Sequence, residues 1–316
     1  MAGAWPRARD KVAVVTPGAA PVFVVGAPRS GTTLLYRCLA LHPDAAWISS
    51  VQARFPRAWG LAALNRVTRH TPRLTYAAWF GPRGDAAYRY GSPRPLRDRL
   101  WPQPVEGEPV FAACGIPATW TGGKVSDRQR RLPVLIARTC RAGGGAVFVG
   151  KRIGHNRRLL LLDALWPNAR FVVLTRDGRA VTESLLRVDW WPEAELWWWR
   201  AGARPADWTA AGGAPRVAAA RHWVAEVDAI AEGLRGIPPG RVWHLSYEDL
   251  VADPRTHLSA VARFAGLDPG EASWQRSLSA VDFRNRHRVA GDAGDPSRAD
   301  VLAVLAPRLE NLGYLP

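Results

Sequence analysis

Short, unbroken apolar runs recur along this chain, and amphipathic stretches separate them. Pro21-Val-Phe-Val-Val-Gly26 is the first run. It has no polar alternation, which predicts a strand buried on both faces of a parallel sheet. Leu34, Leu35, Cys38 and Leu41 then recur close to helical spacing, so a helix is expected over Thr32–Leu41, stopped by His42-Pro43. Residues 52–69 read as helical. Further strands are predicted at Ala146–Val149, Arg170–Thr175 and Arg241–Ser246, and further helices at Leu159–Leu165, about 178–187, Ala218–Leu234, 254–265 and 298–312. Between about 70 and 145 proline and glycine recur and the periodicity weakens. Residues 189–213 are rich in tryptophan, proline and glycine, and 282–297 read as a polar loop. No internal repeat is visible.

Strands that alternate with helices predict an α/β fold: a P-loop-type parallel sheet with helices on both faces. The expected organisation is a flexible leader over 1–20 and one domain over 21–316, with an irregular helical insertion at about 70–145 that shapes a binding site. Ligands of such sheets sit beyond the carboxyl ends of the strands. The informative loops are therefore 26–33, 150–156, 176–184 and 246–249.

Composition narrows the classes. The 316 residues are 47% hydrophobic, enough for a sizeable core. The formal charge is +16, yet lysine occurs only as Lys11, Lys124 and Lys151, and the other basic residues are scattered arginines. Glycine, alanine and proline are also abundant, which points to a GC-rich coding bias. No basic block or nucleic-acid-binding motif is present, so no nucleic-acid partner is expected. Cys38, Cys114 and Cys140 are odd in number and irregularly spaced, as free thiols of a reducing compartment would be. No Cys/His spacing suits a metal. No apolar run reaches 18 residues, and a soluble, cytoplasmic protein is expected.

Gly26-Ala-Pro-Arg-Ser-Gly31-Thr32-Thr33 lies between a strand and a helix with Walker A spacing, but Thr32 stands where lysine is expected. Backbone amides at a helix N-terminus still cradle an anion there. Ser30, Thr32 and Thr33 add hydroxyls, and Arg29 adds charge. No acidic residue follows a strand in the manner that magnesium-dependent nucleotide hydrolysis requires; Asp177 and Asp249 come closest.

Pro28-Arg-Ser-Gly-Thr-Thr33 resembles the 5′-phosphosulfate loop of sulfotransferases that use 3′-phosphoadenosine 5′-phosphosulfate (PAPS). Arg29 and His42-Pro43-Asp44 are closest to the carbohydrate and tyrosylprotein branches. Arg170-Phe-Val-Val-Leu-Thr-Arg176-Asp-Gly-Arg-Ala-Val-Thr-Glu-Ser184 is similar to the family's 3′-phosphate motif. The resemblance implies that Arg176 and Ser184 hold that phosphate, Arg29, Ser30, Gly31, Thr32 and Thr33 the 5′ end, and Tyr247 the adenine region. Arg288, in a basic loop, closes over the nucleotide on the same reading. PAPS is the implied co-substrate, without a metal. It covers about 21–50, 146–190 and 218–315.

For this family the expected reaction is transfer of a sulfuryl group to a hydroxyl or amine, with carbohydrate and glycolipid as acceptor candidates. Arg29 and Lys151 are expected to stabilise the leaving oxygen. The general base departs from the pattern: Trp47-Ile48-Ser49-Ser50 carries no acid where the tyrosylprotein branch has a glutamate. Asp85 is the preferred base, and Glu106, Glu108 and His155 are the alternatives. Trp190, Trp191, Trp197, Trp198, Trp199 and Trp208 crowd one segment, which fits packing, an acceptor wall or a peripheral membrane contact. A P-loop kinase-like enzyme and a non-catalytic nucleotide- or glycan-binding module are the competing readings. Oligomeric state is not legible.

Overall fold

The computed structural model describes residues 19–81, 101–120, 122–283 and 297–315. Five parallel strands form one sheet: β1 (Val22–Val25), β2 (Ala45–Ala46), β3 (Val147–Lys151), β4 (Arg170–Thr175) and β5 (Val242–Ser246), in the order β2-β3-β1-β4-β5. Strand β1 is central. The chain leaves it towards β2 and β3 on one side and returns to β4 and β5 on the other. The crevice beyond its carboxyl end is thus a switch point of the topology.

Both faces of the sheet are covered. Val22 and Val24 of β1 enter one apolar cluster with Leu35, Leu39, Val149 and Val172, while Phe23 and Val25 enter another with Phe148, Phe171 and Leu162. This explains the run of apolar residues without polar alternation. Register places Val24 opposite Lys151 and Val25 opposite Val173. Lys151 therefore ends β3 beside the start of the 26–33 loop, and Arg176 directly follows β4.

The helix after β1 is Thr32–Ala40, with Gly31 as its N-cap in the left-handed region. The helix expected over 52–69 is instead three pieces: Ser50–Arg54, a 3-10 segment Trp59–Arg66, and Val67–His70. Pro56 breaks it after Phe55, since proline lacks an amide donor and disfavours helix in the residue before it. The 70–145 stretch includes a regular helix, Arg131–Gly143, ended by Gly144 at φ 78°. Two further helices, Tyr247–Ala252 and Ala272–Leu278, were not expected from periodicity. Strand β2 was also missed, since two residues carry no pattern and pairing with β3 alone defines it. The helix Pro215–Leu234 packs on Gly178–Leu185 and Arg298–Asn311 around a third cluster containing Val181, Leu185, Trp191, Trp223 and Leu305. No helix among the described residues is long and apolar enough to cross a membrane.

Candidate active site

The strand ends bring the sequence-selected residues into one cavity. It holds about 740 Å³ and is lined by Arg29, Gly31, Thr32 and Thr33 from the first loop, Lys151 from β3, Arg176 and Ser184 after β4, and Tyr247 after β5. Residues more than two hundred positions apart thus converge because all four strands point the same way.

The 26–33 loop is built tightly. A Cβ at Gly26 would lie 2.4 Å from the Leu174 carbonyl oxygen, and one at Gly31 would lie 2.5 Å from Cδ2 of Tyr247. Glycine at both positions lets the backbone pass close under strand β4 and the Tyr247 ring. Gly31 has φ 88°, and Arg29, at φ 67°, is the one non-glycine residue with positive φ among the described residues. Such strain is held only where the surroundings over-determine it. Here they do: Arg29 donates from Nε to Ser184 Oγ at 3.0 Å, and its carbonyl accepts from Arg176 at 2.9 Å. Arg176 in turn lies over the Tyr247 ring, 4.3 Å from its centroid. The two phosphate motifs are therefore one bonded unit.

A second clamp holds the loop from below. Asn156 accepts from the Gly26 amide at 3.2 Å and donates to the Gly26 carbonyl at 3.0 Å. Its amide also donates to Glu226 at 2.6 Å, which fixes its orientation. Glu226 is fully buried. It also accepts from Trp197 Nε1 at 2.9 Å and pairs with Arg157 at 3.4 Å. Burial pushes its carboxyl up, against the opposing pull of Arg157 and these hydrogen bonds. Neither Asn156 nor Glu226 was singled out in the sequence, because nothing in their spacing links them to Gly26.

Lys151 Nζ donates to Glu106 Oε1 at 2.5 Å. The lysine is buried, and the glutamate side chain is 40% exposed and faces the cavity. Burial pushes the Glu106 carboxyl up, but the charge and hydrogen bond of Lys151, with Arg152 and Arg158 behind, outweigh it and hold the group below the usual carboxylate range. Glu106 stands over the stretch where the sequence lacks an acid. The Ser50 amide donates to the Gln103 carbonyl at 2.9 Å, the Val105 amide to that of Ile48 at 3.1 Å, and Ser49 bridges Pro104. Glu108, two residues on, pairs with Arg152 at 2.6 Å and with the fully buried Arg158 at 3.0 Å.

His155 is not a solvated loop histidine. It is fully buried with its ring against Phe23 and Phe111, and its Nδ1 accepts from Arg158 at 3.1 Å. Burial, with Arg158, Arg152 and Lys151 nearby, holds it neutral far below its usual range. Asp85 and Arg288 lie outside the described residues. Ser30 is fully buried and does not line the cavity, and its Oγ has no hydrogen-bond partner among the described residues. Of the six clustered tryptophans, Trp190 is on the cavity wall. Trp191 is core, and Trp198 and Trp208 are tied to His222 Nδ1 at 3.3 Å and the Ala214 carbonyl at 3.1 Å. Glu248 accepts from the Asp177 amide at 3.3 Å and the Tyr314 hydroxyl at 2.7 Å, a structural role.

Solved structures with this fold include the sulfotransferase STF1 from Mycobacterium tuberculosis, 18% identical, covering 92% of this chain and 77% of that one with a TM-score of 0.54. The sulfotransferase STF9 from Mycobacterium avium is 16% identical, with 94% and 77% covered and a TM-score of 0.53. At such identities the likeness establishes the fold. No match was found among curated proteins. The sequence pattern of the Sulfotransferase family matches residues 21–271, most of the chain. With the phosphate loop, the strand-end arginine and the parallel sheet all in the family's order, the chain belongs to the sulfotransferase family.

Proposed function

We propose that this cavity binds PAPS against Arg29, Gly31, Thr32, Thr33, Arg176, Ser184 and Tyr247 and transfers its sulfuryl group to an acceptor hydroxyl, with Lys151 and Glu106 as the reacting pair. PAPS supplies the activated sulfuryl group. The fit rests on this chain's own atoms. Thr32 and Thr33, whose amides open helix Thr32–Ala40 ahead of its first backbone bond, line the cavity. Glycine at 31 leaves room for close backbone approach, and two arginines and a serine converge behind it. Convergence of Arg29, Lys151, Arg176 and Ser184, from three strand ends, on one cavity carries the reading.

Charge builds on the leaving oxygen as the S–O bond breaks, and a lysine at the end of β3 beside the loop suits its stabilisation. Glu106 is the carboxylate closest to that lysine, and it supports a base role: it is ionised and reaches the cavity. When Lys151 turns to the leaving oxygen, Glu106 loses the partner that holds its basicity down. Asp85 remains the competing base. The segment Gln103–Pro109, part of the 70–145 insertion, lines the cavity opposite the phosphate loop and would face a carbohydrate or glycolipid acceptor.

Calorimetry tests the assignment. Binding of 3′-phosphoadenosine 5′-phosphate in the presence of a chelator is expected to be about ten- to a hundredfold tighter than that of adenosine 5′-phosphate, the worth of one charge-assisted phosphate site. Arg176→Ala should abolish the difference. Equal affinities in the wild type refute the assignment.

A further inference from the structure

One surface is left unused by the site. Among the described residues six large hydrophobics are well exposed, and four of them lie within thirteen positions: Phe55 at 60%, Trp59 at 39%, Leu64 at 47% and Val67 at 39%. Leu64 and Val67 cannot fold inward. In the 3-10 segment Ala62 and Asn65 form the buried row, continued by Thr68, so Leu64 and Val67, three apart, share an outward row. The segment is locked in that orientation. Arg66 donates to the Ala142 carbonyl at 2.8 Å and Arg69 to that of Gly143 at 3.2 Å, both at the end of helix Arg131–Gly143.

The two stretches of chain that build this face carry charge of one sign. The sequence has no Asp or Glu between Asp44 and Asp85, nor between Asp127 and Asp163, and these two stretches supply the segment and the helix it packs on. Arg57 is exposed beside Phe55, and the Arg138 guanidinium lies 5.8 Å from the Trp59 ring centroid. Arginine interleaved with aromatic and aliphatic side chains, without acids, is the pattern of an interfacial segment. A second copy of this chain would bring arginines against arginines. A nucleic acid would use the arginines and aromatics but gives Leu64 and Val67 nothing apolar to enter.

We propose that this face docks on an anionic lipid bilayer, with Phe55, Trp59, Leu64 and Val67 in the headgroup–acyl boundary and the arginines on lipid phosphates. Ser50 and Ala53, on the helix that runs directly into Phe55, line the active-site cavity. Docking therefore brings this wall of the cavity close to the bilayer surface, and the proposal builds on the sulfotransferase reading above.

Flotation of the full chain with phosphatidylcholine vesicles, with and without phosphatidylglycerol, tests it. Binding is expected only with phosphatidylglycerol and weakens with added salt. The quadruple variant Phe55→Ser, Trp59→Ser, Leu64→Ser and Val67→Ser should bind at least about tenfold less. Arg57→Glu with Arg138→Glu should do the same by charge, which covers the case where the first variant misfolds. In both variants the thermal shift caused by 3′-phosphoadenosine 5′-phosphate should match the wild type; loss of that shift in the wild type would count against the nucleotide site and not against the docking face. No flotation of the wild type, or undiminished flotation of a folded variant, overturns the proposal. So does retention on an RNA oligonucleotide that these variants abolish while vesicles are ignored.

Discussion

Glu106→Gln is the most informative perturbation, because its neighbour Glu108 provides a contrast two residues away. Glutamine keeps the shape and removes the proton acceptor. Loss of a general base costs about a hundred- to ten-thousandfold in turnover, or about 2.7–5.5 kcal/mol of barrier. The Glu106 side chain is 40% exposed and glutamine still offers the buried Lys151 a carbonyl acceptor, so the fold should survive. Glu108→Gln is the reverse case. It leaves Arg158, which has no exposed surface and keeps only its bonds to His155 and the Pro117 carbonyl, without its carboxylate, at a cost of about 1–3 kcal/mol in stability. Its effect should appear in thermal denaturation before it appears in rate. The rate assay is 3′-phosphoadenosine 5′-phosphate release from PAPS with an alcohol and, separately, with the acidic phenol p-nitrophenol. A missing base should cripple transfer to the alcohol and spare transfer to the phenol, whose hydroxyl is already largely ionised. The pH profile gives a further check. Lys151 and the arginines hold the Glu106 carboxyl low in the free enzyme, so kcat/KM should persist as pH falls through the usual carboxylate range and drop only below it. In Lys151→Ala that limb should move to higher pH. Equal losses with both acceptors, or full activity of Glu106→Gln while Asp85→Asn is inactive, would refute the assignment of the base.

Lys151→Ala should lower turnover by about a hundredfold or more while calorimetric affinity for 3′-phosphoadenosine 5′-phosphate changes much less, as the role proposed for it at the leaving oxygen requires; unchanged turnover makes the lysine structural. Gly31→Ala puts a Cβ 2.5 Å from the Tyr247 ring at a residue with φ 88°, so it should destabilise by about 1–3 kcal/mol and weaken nucleotide binding, as urea unfolding and calorimetry would report. His222 is buried neutral, its pKa lowered from 6.5 to about 3 by burial and Arg157. Below about pH 6 the unfolded chain takes up a proton that the folded chain refuses, so stability should fall with acidification by up to about 1.4 kcal/mol per pH unit from this group. Nearby Glu226 takes up a proton in the opposite sense, so the wild-type minus His222→Asn difference in urea midpoint between about pH 6 and 5 isolates the effect; no difference contradicts it.

Much of this protein is local in origin. The apolar runs at Val22–Val25 and Arg170–Thr175 carry no polar alternation because both faces of the sheet are covered, and so they identify themselves as strands of a parallel sheet. A glycine loop between a strand and a helix makes an anion site wherever it occurs, since the helix opens with amides that lack acceptors. Strand direction then brings Arg29, Lys151, Arg176 and Tyr247 to one end of the sheet, which is why the residues that end or follow the strands line one cavity. Tertiary structure decided the rest. Strand β2 exists by pairing with β3, and the helix expected over 52–69 yields to Pro56. His155, a loop residue in the sequence, is sealed between Phe23 and Phe111. Asn156 meets Gly26, Glu226 meets Asn156, and Glu106 meets Lys151 across 130, 70 and 45 positions of chain. Local propensity encodes a strand or a loop through the residues next to it. The partner of a buried charge is chosen by packing among segments remote in sequence, where no periodicity or spacing records the choice.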